Sequence, residues 1–173
     1  MVDYIRAEVY KVTHRKYLWG FLLIVGGLEA LLVCMWAWMN GDMTNMSAST
    51  GFIMVLYLLT MGYYASAITT DMVFSDQYKF NTLKNEVAYG IPRARIYLGK
   101  LAVGCLVSLA SCVVILLWYG ILCRVLLPGD GAWLEALKCV GFALLAALPV
   151  WLGAQALFYM CFFLLKSSTA ASL

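Results

Sequence analysis

The stretch Asp71–Lys100, DMVFSDQYKFNTLKNEVAYGIPRARIYLGK, is the one long polar interruption in a chain that is otherwise almost continuous apolar sequence. It holds five of the twelve Lys and Arg residues (Lys79, Lys84, Arg93, Arg95, Lys100) and three of the nine acids (Asp71, Asp76, Glu86). Within it Phe80, Leu83 and Val87 recur at i, i+3 and i+7, which places them on one stripe of a short helix. Ser75 or Asp76 suits the start of that helix, and Gly90 followed by Pro92 suits its end. The spacing predicts a short amphipathic helix over residues 76–90, presenting a few apolar knobs in a charged frame.

Outward from this stretch the chain is apolar in both directions. Four runs, 18–39, 52–68, 101–123 and 140–165, are each of the order needed to cross a hydrocarbon core, ~20 residues of helix. Their interiors contain one formal charge, Glu29. The whole chain is 64% hydrophobic and 12% charged, against about 25% charged in ordinary soluble domains. The fold class that follows is an all-α polytopic membrane protein with four transmembrane helices in one domain over residues 1–173.

Charge placement then orients the chain. Arg6, Lys11, Arg15 and Lys16 precede the first span, five basic residues fill the second connection, and Lys166 follows the fourth span. That makes ten on one side, whereas only Arg124 and Lys138 lie on the other. The positive-inside rule puts the N-terminus and the 71–100 connection in the cytoplasm, in a multi-pass protein of the cell membrane.

The N-terminal segment 1–17 carries Tyr4, Ile5, Val9 and Val12 among its charges, at roughly helical spacing. Two readings stand: an amphipathic helix at the lipid interface, or a plain basic flank that orients the first span. No signal peptide fits, because the apolar run is too long and no small-residue cleavage site follows it. The six cysteines lie in or at the ends of the spans with no C-x-x-C pair, so they read as small packing residues. Met39, Met43 and Met46 lack a nearby His or Cys, which favours ordinary interfacial methionines over a copper site. No metal site is expected.

Inside the spans, a carboxyl at the depth of Glu29 should face the bundle interior. It is either a substrate or gating contact, or a helix–helix hydrogen bond. Trp19, Trp36 and Trp38 suit interfacial belts. Tyr57 and Tyr64, one heptad apart, either line a polar path or bond to neighbours, and Gln155 is a further pathway candidate. Small residues at fourfold spacing, Gly62 with Ser66 and Gly104 with Ser108 and Cys112, read as helix-packing seams. Pro149 should kink the last span.

Much chemistry is absent from the sequence. It has no GxxxxGK[ST] phosphate loop, so this chain carries no ATPase motif of that kind. One histidine, His14, cannot make a two-histidine haem or HExxH site, and no GxSxG occurs. A catalytic site is not expected.

Lys79-Phe80-Asn81-Thr82-Leu83-Lys84-Asn85-Glu86-Val87-Ala88-Tyr89-Gly90-Ile91-Pro92-Arg93, followed by Ile96-Tyr97-Leu98-Gly99-Lys100, resembles permease subunits of ABC-2-type transporters, including lantibiotic-immunity and small Gram-positive exporter permeases. Ala7-Glu8-x-x-Lys11 before the first span extends the likeness to the family's elbow helix. The resemblance implies that 76–90 is a coupling helix that docks on a separate ABC ATPase subunit. Asp76, Lys79, Phe80, Leu83, Lys84, Glu86, Val87, Gly90 and Arg93 would make that contact. It further implies a second permease copy or paralogue and the lipid bilayer as partners, no nucleic acid, and ATP and Mg bound by the partner rather than by this chain. Asn81 stands where family members usually have Gly, and the family's bundle has six spans where four are found here, which leads us to expect a truncated product.

The function that follows is a permease subunit coupling ATP hydrolysis elsewhere to export of an amphiphile, peptide or drug-like substrate. The rival is a small tetraspan scaffold without transport activity. A third reading, an ion-coupled carrier using Glu29, lacks a second ionisable residue within the spans.

Overall fold

The computed structural model describes residues 2–40, 46–79 and 92–165, and its regular structure is helical throughout. The elements are α1 (Val2–Thr13), α2 (Lys16–Met39), α3 (Ala48–Ile53), α4 (Val55–Lys79), α5 (Arg93–Leu126) and α6 (Trp133–Leu165). Four segments are long and apolar enough to cross a membrane: Lys16–Met39, Ala48–Val73, Ala94–Leu126 and Trp133–Phe162. These are the four spans expected from the apolar runs, each lengthened at one or both ends. The protein is an all-α polytopic membrane protein.

Local chemistry explains most of the boundaries. The Thr13 hydroxyl donates back to the Val9 and Tyr10 carbonyls at 3.0 and 3.1 Å, a competition that closes α1. Ser47 caps α3, its hydroxyl accepting from the Thr50 N–H at 3.3 Å. Pro92 opens α5, its carbonyl accepting from the N–H groups of Arg95 at 2.9 Å and Ile96 at 3.2 Å. Proline costs nothing there, because a helix start leaves N–H groups without intrahelical partners anyway.

One boundary differs from the sequence reading. Ser75 and Asp76 do not start a new helix; α4 runs through both to Lys79. A helix that continues keeps its i→i−4 bonds and needs no cap, so a capping preference at 75–76 decides nothing. Residues 80–91, which hold the rest of the expected 76–90 helix, lie outside the described residues. Trp133 to Lys138 is the opening of α6, which remains helical through Pro149.

The described chain divides into two compact units. One comprises Met1–Leu18, Met61–Ala110 and Pro149–Leu173; the other comprises Trp19–Thr60 and Ser111–Leu148. In the first, the buried stripe of α5 is Ile96, Lys100, Val103 and Val107, joined by Met72 and Val73 of α4 and Tyr159 and Phe162 of α6. Gly104 admits the Tyr159 ring, since a Cβ at that position would overlap it. The second unit is built on Val33, Phe52, Val55, Tyr119, Cys123, Leu127 and Val140, with Trp36 and Trp133 packed at its edge. Here Phe52 lies 5.0 Å from the Trp133 ring and 6.1 Å from Tyr119, and Tyr119 donates to the Gly51 carbonyl at 2.6 Å.

Candidate functional site

Polar groups collect in the first unit. Gln155 of α6 is fully buried, and its amide nitrogen donates to Ser108 Oγ at 2.9 Å and Thr69 Oγ1 at 3.3 Å. Its oxygen accepts from Thr70 Oγ1 at 3.4 Å, and Thr69 and Thr70 both also donate to the Ser66 carbonyl. Three helices are joined through one amide. In an apolar surround such bonds act as interhelical glue, because the alternative is an unsatisfied polar group.

Charge is buried in the same unit. The carboxylate of Glu8, on α1, receives the Lys100 ammonium of α5 at 3.4 Å on Oε2 and Lys11 at 2.6 Å on Oε1. Lys100 is completely buried and Glu8 nearly so, while Lys11 is half exposed. A few residues on, the Arg15 guanidinium donates to the Met72 carbonyl of α4. Thus α1 and the turn that follows it hold both helices that flank residues 80–91.

The second unit carries Glu29 in the middle of α2. Its Oε2 is buried and takes no hydrogen bond among the described residues, while Tyr119 and Cys123 lie within electrostatic reach. Trp118 donates to the Gly26 carbonyl, one turn earlier on α2, at 3.1 Å. The connection after α5 is latched. The Ala48 N–H donates to the Pro128 carbonyl at 2.9 Å, and the Ser49 hydroxyl donates to Asp130. Hydrogen bonds from Ser47 and Ser49 hold the Asp130 carboxyl below its usual range.

The residues singled out in the sequence fall in several places. Gln155, Ser66 and Ser108 meet in the polar cluster. Gly104 and Ser108 both meet α6, at Tyr159 and Gln155, while Cys112 is exposed. Gly62 is also exposed, with open space where a Cβ would stand, so it packs against no described helix of this chain. At Cys112 the cause is helical pitch, since two fourfold steps from Gly104 turn about 80° away from a stripe repeating every 3.6 residues. Tyr57 and Tyr64 point outward on α4, 77% and 72% exposed, beside Met61 and Ile68. Trp36 packs on the second unit's core, whereas Trp19 and Trp38 are exposed. Asp76 and Lys79 belong to the last turns of α4, and Arg93 is the first residue of α5. Phe80, Leu83, Lys84, Glu86, Val87 and Gly90 lie outside the described residues.

Compared with known families, residues 4–173 match the one described as ABC-2 family transporter protein. The chain belongs to the ABC-2 transporter family. No curated protein and no solved structure matches it. As an ABC-2 permease it is a multi-pass membrane component of a transporter, and the family implies an ABC ATPase as partner.

The sequence reading placed Glu8 in the elbow motif and Lys100 in the 71–100 connection of this ABC-2 permease, but not their pairing. Their burial was legible in principle. Lys100 is in helical register with Ile96, Val103 and Val107, and Glu8 with Ile5 and Val12. A charge on an apolar stripe is buried with a partner or it is not there at all.

Proposed function

We propose that this chain is the membrane subunit of an ATP-driven exporter, powered by a separate ATPase subunit that binds ATP and Mg. The observation that carries the reading is the family match over 4–173 in a chain with four span-length helices. It weighs against the tetraspan scaffold. The ATPase docks on the cytoplasmic connection between α4 and α5, with Phe80, Leu83 and Val87 as apolar anchors. Asp76, Lys79, Lys84, Glu86 and Arg93 set its orientation through rim charge, and Gly90 ends the docking helix. By the charge asymmetry of the chain, the N-terminus is cytoplasmic.

The exported substrate is an amphiphile, a peptide or a drug-like molecule. Tyr57 and Tyr64 support a position for a second permease copy. A phenol facing hydrocarbon leaves its hydroxyl without a partner, so the exposed face of α4 suits protein or a polar path better than lipid. Glu29 is the carboxyl available for gating or substrate contact. Glu29→Gln should then change transport more than assembly.

The test is a mild-detergent pull-down of the tagged protein from its native host, with mass spectrometry of the co-purified chains. A stoichiometric ABC ATPase is expected, lost on Leu83→Asp while the variant still inserts in the membrane. A preparation without an ATPase, or a normal complex from Leu83→Asp, would count against the docking.

A further inference from the structure

We infer that Glu8 and Lys100 are positioning residues that tie α1 to α5, so that α4 and α5 move together when the ATPase acts. The inference rests on the proposed ATP-driven reading, but its evidence is separate from the family match.

A lysine ammonium with no exposed surface is held only where a carboxylate compensates it, and Glu8, itself 3% exposed, stands 3.4 Å away. A less demanding design was available, since an apolar residue at position 100 would complete the stripe of Ile96, Val103 and Val107. Charge pairing inside a packed stripe is directional, whereas apolar packing tolerates sliding. Glu8 is therefore a fixed point between α1 and α5.

The second fixed point is on the other flank. Arg15, at the end of the same short segment, donates to the Met72 carbonyl of α4 and lies within electrostatic reach of the Asp71 carboxyl. Between these two contacts α1 spans from one flanking helix to the other. The Gln155 cluster joins α4, α5 and α6 deeper in the same unit. A displacement of α4 is thus passed to α5 through α1 and not only through the chain connection. Lys11, 2.6 Å from the other oxygen of Glu8, holds the carboxylate aimed at Lys100.

The test uses the complete complex with its ATPase, purified from the native host into lipid nanodiscs. ATP hydrolysis and amide hydrogen exchange across α5 are measured with and without ATP plus vanadate, so no substrate is required. In Glu8→Gln and Lys100→Met, the ATPase should still co-purify and hydrolyse ATP within about twofold of the wild type, while the nucleotide-dependent change in exchange falls by more than about half. The swapped pair Glu8→Lys with Lys100→Glu should recover most of that change. A merely structural pair behaves differently, raising exchange equally in both nucleotide states and leaving their difference intact. That outcome, or an undiminished difference in both single variants, overturns the inference. A wild-type preparation with no ATPase overturns the ATP-driven reading, and the inference with it.

Discussion

The two units of this permease are held together by different physics. The unit containing α1 is specified by directional contacts, the Glu8–Lys100 pair, the Arg15 bond to Met72 and the Gln155 cluster. The unit containing most of α2 is centred on apolar packing, an aromatic and aliphatic core of Val33, Phe52, Tyr119 and Val140. Lipid tails are as apolar as leucine, so apolar burial gives membrane helices little register. Directional polar contacts do give register, and the buried ion pair and the buried amide cluster both lie in the unit that holds the ends of α4 and α5 flanking residues 80–91. The other unit has hydrogen bonds as well, from Tyr119 to Gly51, Trp118 to Gly26 and Ser49 to Asp130, but no buried ion pair among the described residues, and its Glu29 Oε2 takes no hydrogen bond among them.

Substitutions can break this contrast in graded steps. The largest effect is expected at Gly104, where any side chain meets the buried Tyr159 ring. Gly104→Val should destabilise the protein by about 3 kcal/mol or more, read as thermal unfolding in detergent. Next is Phe52→Ala, which empties the centre of the apolar core and should cost about 3 kcal/mol. Neither should depend on salt. Gln155→Leu removes three interhelical hydrogen bonds, each worth about 0.6 kcal/mol in such settings, for a loss of about 1–2 kcal/mol. If Gln155→Leu proves as damaging as Phe52→Ala, directional contacts contribute more than this ordering allows.

The smallest effect is at Asp130. Its folded-state pKa is depressed by Ser47 and Ser49, so the stabilisation it supplies is present above its unfolded pKa. It is lost as pH falls through the folded value. The melting temperatures of the wild type and Asp130→Asn should differ by a constant amount from pH 7 to about pH 5 and converge below about pH 4. A difference that grows on acidification would contradict the latch.

The spans were legible because hydrocarbon demands length and apolarity, and both show in 18–39, 52–68, 101–123 and 140–165. Their ends were not, because a helix does not stop where the hydrocarbon does. Thus α5 begins at Arg93, about two turns before the apolar run at Leu101. Gln155 and Ser108 were legible as interior polar residues, but their partners Thr69 and Thr70 were not, since threonine is unremarkable at a span end. The pairing of Glu8 with Lys100 was missed for a sharper reason. Flanking charges near a membrane are read as solvated, and these two pair inside the protein instead. Gly62, read as a packing residue, faces outward with open space where a Cβ would stand.

The central claim is that the α4–α5 connection meets an ATPase and the α5–α6 connection does not. A photo-crosslinking amino acid placed at Leu83, and separately at exposed Gly129, tests it in living cells of the native host. The account predicts an adduct with an ATP-binding subunit from position 83 and none from position 129. No such adduct at 83, or the same adduct at both, would contradict it.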